Sequence, residues 1–291
     1  MNKIIIMTDS SCDLPLKFIK DNNIPYLGIA CNFRGEEYFE DFGETLGYKE
    51  FYDAVREGEM PTTSQINSYR FSEEFKKFAK EGKTVIYLAF SSALSGTYNS
   101  ALIAREEVLE EYPEADITVI DTKSASMGVG LLVYYAYELL NKGASKDEII
   151  NWVENNKLKT IHWFTVDDLN HLKRGGRISA AAAAVGSLLG IKPVLHVNDA
   201  GQLIPVSKAK GRKKSIKELA ENLEKHIINP EEQVIFISHG DCLEDAELLS
   251  SMIKEKYAVK DIIINNIGPV IGAHSGPGTI ALFFLGDNRR P

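Results

Sequence analysis

Cysteine is scarce: the chain has three in 291 residues, at positions 12, 31 and 242. None forms a C-x-x-C pair or has a histidine at zinc-ligand spacing, which excludes a disulfide framework and a thiolate zinc site and suits reduced thiols in the cytoplasm. Long apolar runs are missing too. The amino terminus offers only Ile4 to Met7, too short for a signal-peptide core, and no segment is long enough to span a bilayer, so a cytoplasmic chain without a membrane span is expected. Positive charge is in deficit, 33 Lys and Arg against 41 Asp and Glu for a formal net charge of -8. That sign opposes affinity built on neutralising phosphates, so no nucleic-acid partner is expected. The densest basic stretch, 208–214, suits a solvated helix start or a docking site for an anionic surface.

The usual catalytic signatures are also absent. There is no G-x-x-x-x-G-K-[ST], no G-x-G-x-x-G after a strand, and no H-E-x-x-H among the six histidines. The nearest approach to a serine-hydrolase elbow, Gly272-Ala273-His274-Ser275-Gly276, puts histidine at the nucleophile position.

What is present is an ordinary globular composition, 44% hydrophobic and 25% charged, in a length that favours two domains. Residues 3–8, 84–90 and 117–121 are β-branched runs of strand length, each entering a hydroxyl-rich loop, with helical stretches over 14–22, 97–111 and 128–142. Strand-loop-helix units of this kind build a parallel sheet whose loops share one edge, where ligands of open α/β sheets bind. The pattern changes near residue 160, giving expected α/β domains over 1–160 and 161–291. In the second, 160–166 reads as a strand and 167–173 as a short helix. Ser179 then caps a plain alanine run over 180–184, either close helix-on-sheet packing or a wall leaving room for a ligand. Residues 193–197 and 202–206 flank Asp199-Ala200-Gly201 as a hairpin, so this sheet is mixed. Strands at 234–238, 262–267 and 280–285 and a helix over 243–256 follow, with a glycine-rich stretch at 267–279.

The candidate site residues are hydroxyls and backbone amides: Thr62-Thr63-Ser64, Ser91-Ser92, Ser95-Gly96-Thr97, and the glycine loop with His274. Neutral donors at helix starts bind an anionic head well and catalyse poorly without a base or metal. Ser95 and Thr97 serve equally as helix caps, and His274 as a structural hydrogen-bonding group. An enzyme acting on a small phosphorylated or acyl substrate, with His274 as general acid or base, is the alternative reading.

In order, Thr8-Asp9-Ser10-Ser11-Cys12-Asp13-Leu14, Pro61-Thr62-Thr63-Ser64-Gln65, Ser91 to Ala101, Lys173-Arg174-Gly175-Gly176-Arg177-Ile178-Ser179, Pro205-Val206-Ser207-Lys208 and Ile267 to Thr279 resemble the successive motifs of the DegV family of bacterial fatty-acid-binding proteins. The resemblance covers essentially the whole chain. It implies two α/β domains with a long-chain fatty acid, palmitate or similar, in a tunnel between them, and no other cofactor. It also implies a monomer without catalytic residues that presents the acid to a separate fatty acid kinase, related to dihydroxyacetone kinases, for acyl-phosphate formation in phospholipid synthesis. By that likeness Thr63, Ser95 and His274 hold the carboxyl, Thr62 and Gly96 stand beside them, and Arg177 adds positive charge near the opening. One departure is Ala209-Lys210-Gly211, where the family often has Ala-Arg-Gly. Lysine keeps the charge but loses the planar fork, a loss that Arg212 could offset.

Overall fold

The computed structural model describes residues 3–179 and 190–290. The alanine run and its helix cap therefore lie largely outside the described residues. Three sheets organise the rest. In the first, β1 (Ile4–Asp9), β2 (Tyr26–Leu27), β6 (Thr84–Ala89) and β7 (Asp116–Asp121) run parallel in the order β2-β1-β6-β7. Strand alternation gives both faces something to bury. Met7, Val85, Tyr87 and Ala89 pack on one side with Phe71 and Phe75 of α3 (Ser68–Lys80) and Ala101, Ala104 and Val108 of α4 (Thr97–Glu111). Their neighbours in sequence, Ile6, Ile86 and Leu88, pack on the other with α5 (Met127–Asn141).

The second sheet is mixed, in the order β10-β9-β8-β13-β11-β12, from β8 (Thr160–Thr165), β9 (Ile191–Val197), β10 (Leu203–Lys210), β11 (Val234–His239), β12 (Asp261–Asn266) and β13 (Ile280–Leu285). Only β11 and β12 pair parallel; β9 and β10 form the expected hairpin, with Gly201 at φ +80° in its turn. One face buries Trp163, Val194, Ile235, Ile237 and Leu282 under α8 (Arg212–His226) and α9 (Leu243–Lys256). The opposite face joins the α5 core through Phe164, Leu195, Phe236 and Phe283. Helix α5 therefore stands between two sheets, which explains why its sequence is apolar almost all round. It is a core helix, not a cavity wall: none of its residues lines the cavity described below.

Two stretches differ from the sequence-based expectation. Thr62–Ser64, to which the sequence pattern assigns no element, is strand β5, paired with β3 (Ala30–Phe33), which also pairs with β4 (Glu36–Phe39). This small antiparallel sheet carries no periodicity long enough to show in the sequence. The glycine-rich stretch 267–279 is not all loop. It contains the short helix α10 (Pro269–Ser275), begun by proline at its first position and ended at Gly276, φ +78°. The remaining helices are α1 (Leu16–Asp21), α2 (Tyr48–Arg56), α6 (Lys146–Asn156) and α7 (Asn170–Arg174). All three cysteines are free, and among the described residues no helix is long and apolar enough to cross a membrane.

Candidate functional site

The loops leaving β1, β6 and β7 meet at one edge, as the strand-loop-helix pattern requires, and there they face the mixed sheet across a cavity of about 260 Å³. Ser11 follows β1, Leu94, Ser95 and Gly96 follow β6, and Ala125 and Ser126 follow β7. The facing wall is the pleat of the other sheet, His162 and Phe164 from β8 with Ala281 and Phe283 from β13, alternate residues sharing a face. Ile267, Val270 and Ile271 close it with further apolar surface.

At this cavity Thr63 and His274, 211 residues apart, meet: Thr63 Oγ1 lies 2.8 Å from His274 Nε2. Pairing with Cys31 of β3 sets Thr63, and the last turn of α10 sets His274. Burial, then the positive charges of Arg177 and Arg174, pushes the imidazole down to about 4, so the ring is neutral at neutral pH. Its Nδ1 is buried with no hydrogen-bond partner among the described residues, packed against Gly175, where any Cβ would strike the ring. With Nε2–H donating to Thr63, the threonine hydroxyl is left to donate to a ligand oxygen, and the buried Nδ1 presents only a lone pair. The opposite tautomer would strand a buried N–H.

Ser95 combines the two roles open from its sequence. Its Oγ accepts from Thr97 N–H at 3.2 Å at the start of α4 and lies 2.9 Å from Thr97 Oγ1, while the residue also lines the cavity. Gly96 lines it as well, and a Cβ there would run into the Gln65 carboxamide.

The model of the DegV family of uncharacterised proteins matches residues 3–287. The chain belongs to the DegV family. A DegV domain-containing protein of Clostridium perfringens is 60% identical over 291 residues, all of both chains. Among solved structures, a DegV family protein from Thermus thermophilus, described by its fatty acid binding, superposes with TM-score 0.86 at 31% identity, covering 97% of this chain and 99% of that one. DegV of Bacillus subtilis, described as a fatty acid binding protein, gives TM-score 0.84 at 30% identity over 98% of this chain and 99% of that one.

In this DegV chain Arg177 also reaches the cavity, between α7 and the loop after β6. Its Nε donates to Leu94 O at 3.1 Å and its Nη1 to Gly175 O, so it ties two cavity-lining loops together while burial disfavours its charge. Thr62 does not join the group: it is exposed, pairs with Asn32, and is not among the cavity-lining residues, whereas its strand neighbours Thr63 and Ser64 both are. Nor is Arg212 spare. It pairs with Asp245 at 2.8 Å and approaches Asp167 at 3.5 Å, leaving Lys210 without that substitute.

Sequence reasoning passed over several polar groups of the wall: Ser11, Gln65, Ser126, His162, Ser275 and Thr279. Ser126 had a trace in the hydroxyl-rich loop after β7. His162 had none, since a lone histidine in an apolar strand reads as core. It is buried, accepts from Ala125 N–H at 3.4 Å, and is kept neutral by burial first and by Arg289 second.

Proposed function

We propose that this DegV protein carries one long-chain fatty acid, palmitate or a similar acid, in the cavity between its sheets. It presents the carboxyl to a separate fatty acid kinase of the dihydroxyacetone-kinase-like type, in the cytoplasm and in the service of lipid synthesis, and contributes no catalytic residue itself. The observation that carries this reading is the Thr63 and His274 pair, which shares with Ser95 the wall of a cavity also lined by Ile29, Phe90, Phe164, Val270 and Phe283. The fatty acid binding of relatives at 30 and 31% identity adds to it.

The chemistry of the wall suits such a ligand. Burying about 14 methylenes at roughly 0.8 kcal/mol each offers on the order of 10 kcal/mol before ordering costs, so the tail supplies most of the affinity. A carboxylate drawn into that cavity needs donors, and Thr63 Oγ1 and Ser95 Oγ can provide them, with Arg177 supplying positive charge nearby. The cavity volume lies just below the ~300–1,000 Å³ range of small-molecule sites.

Catalysis by His274 is the weaker alternative. A general base works best with a pKa near the operating pH, whereas burial holds this one at about 4 and no carboxylate partners its Nδ1 among the described residues.

Mass spectrometry of protein extracted under denaturing conditions tests the reading. One fatty acid per chain is expected, and a ligand-free protein that also ignores added palmitate and oleate would reject it. Mixing loaded protein with such a kinase and ATP should yield acyl phosphate; none forming would remove the kinase role and leave the binding role standing.

A further inference from the structure

Helix α10 carries His274 in its last turn, so whatever fixes the entry of this helix also places the imidazole. That entry is held by side chains from the other end of the sequence. Gly268 N–H donates to Asp13 Oδ1 at 2.9 Å, and Val270 N–H donates to Glu40 Oε2 at 3.1 Å. The second Asp13 oxygen accepts from Ser126 Oγ, whose hydroxyl lies 3.0 Å from Ser238 Oγ. Asp13 at φ 50° and Ser126 at φ 52° both occupy the left-handed region that non-glycine residues avoid, a cost tolerated where surrounding contacts over-determine the geometry.

Glu40 Oε1, in contrast, is buried with no donor among the described residues. It converges on Asp13: a Cβ on Gly268 would collide with Glu40 Oε1 and stand 3.1 Å from Asp13 Oδ1. Glu40 is 5% exposed and Asp13 2%. The ionisable groups that interact with the two are Asp9 at the end of β1, Cys12 after it, Tyr26 of β2, Cys31 of β3, Asp41 after β4, and Tyr48 and Tyr52 of α2. All of these are acids, and the other neighbours, Ser126, Ser238 and Asn265, are neutral. Two buried carboxylates with no cation beside them among the described residues cannot both stay ionised.

We propose that Glu40 and Asp13 are positioning residues that hold one proton between them, and that this shared proton fixes the entry of α10 and thereby the placement of His274 in the cavity wall. The proton supplies the donor that Glu40 Oε1 lacks. Burial first, and repulsion from Asp13 second, drives Glu40 well above its ordinary range, and burial pushes Asp13 up to about 7. Loss of the proton sets like charges against each other at the helix entry. The consequence for ligand binding rests on the fatty-acid reading; the proton itself does not.

Infrared difference spectroscopy of the whole protein reads the proton directly. At neutral pH the wild type should show a protonated-carboxyl C=O band that disappears in Glu40→Gln, which removes the carboxyl that burial drives highest, and that shifts in frequency in Asp13→Asn, which changes its hydrogen-bond partner. The ring resonances of His274 should shift with the same alkaline step in the wild type and lose that step in Glu40→Gln, whose amide donates without titrating. Palmitate affinity should fall about tenfold per pH unit above the step in the wild type and stay flat in the variant. A wild-type spectrum without the band, a band that survives Glu40→Gln or is unshifted in Asp13→Asn, or a His274 step unchanged in Glu40→Gln would each overturn the proposal. Band and step intact with no palmitate binding at any pH would instead count against the fatty-acid reading alone. Because the wild-type band and His274 step need no variant, a substituted chain that fails to fold leaves the proposal open to refutation.

Discussion

Replacing Thr63 by valine keeps the branched shape of the side chain and removes one hydroxyl, which isolates the head-group contact from the packing around it. In the free protein this leaves His274 Nε2 without its partner at 2.8 Å, beside an Nδ1 that already lacks one. A buried polar group stripped of its hydrogen bond costs about 1–3 kcal/mol of stability. With a carboxylate bound, the lost bond is one to a charged group, about 1.5–3 kcal/mol, which corresponds to roughly a 10- to 150-fold rise in Kd. The tail contacts are untouched, so the loss should appear for palmitate and be much smaller for 1-hexadecanol, which has the same chain and no charge. Displacement of a fluorescent fatty acid by each compound measures the difference. Equal losses for acid and alcohol, or none for the acid, would refute the placement of the carboxyl at Thr63.

Other substitutions probe the same architecture. Gly175→Ala puts a methyl into the His274 ring and should cost about 1–3 kcal/mol, as overpacking does, with a matching loss of palmitate affinity; an unchanged melting temperature and affinity would contradict the observed contact. Ala281→Leu adds bulk to the β13 wall of the cavity, and should shorten the longest acid accepted while sparing shorter ones in the same displacement assay. Arg289 is buried and donates to the carbonyls of Lys123, Lys157 and Thr160 and to Ser124 Oγ; Arg289→Ala should lower stability by about 3 kcal/mol or more in denaturant unfolding, because several buried acceptors lose their donor at once. His274 adds a pH signature. Its folded pKa of about 4 lies below the 6.5 of an ordinary imidazole, so its contribution to stability is complete above about 6.5 and is lost as pH falls toward 4. His274→Gln should reduce that acid-side loss in pH-dependent unfolding, and an unaltered profile would mean that the ring is not buried neutral.

How much of this was legible beforehand differs between elements. Helix 97–111, helix 243–256 and strand 280–285 were readable to the residue, since a periodic apolar pattern and its boundary signals are local properties. The α5 helix was recognisable as buried for the same reason, but not that it separates two sheets. Strand β5 and helix α10 escaped detection, being three and seven residues long, too short for any period to register. Among site residues, the hydroxyls after β1, β6 and β7 were marked by recurrence, whereas His162 and Gln65 carried no local mark.

The chain's own order of residues determined its α/β elements, its acidic balance, the clustering of hydroxyls at strand ends and, through ordered motifs, its family. These depend on neighbours a few positions apart, where backbone geometry acts directly. Only the tertiary structure decided that Thr63 meets His274 across 211 positions, that Thr62 turns away, and that Asp13 and Glu40 converge beneath Gly268. Those pairings arise when separate sheets bury their apolar faces against one helix, and the packing of that shared core, not any local pattern, sets which distant polar groups are brought within reach.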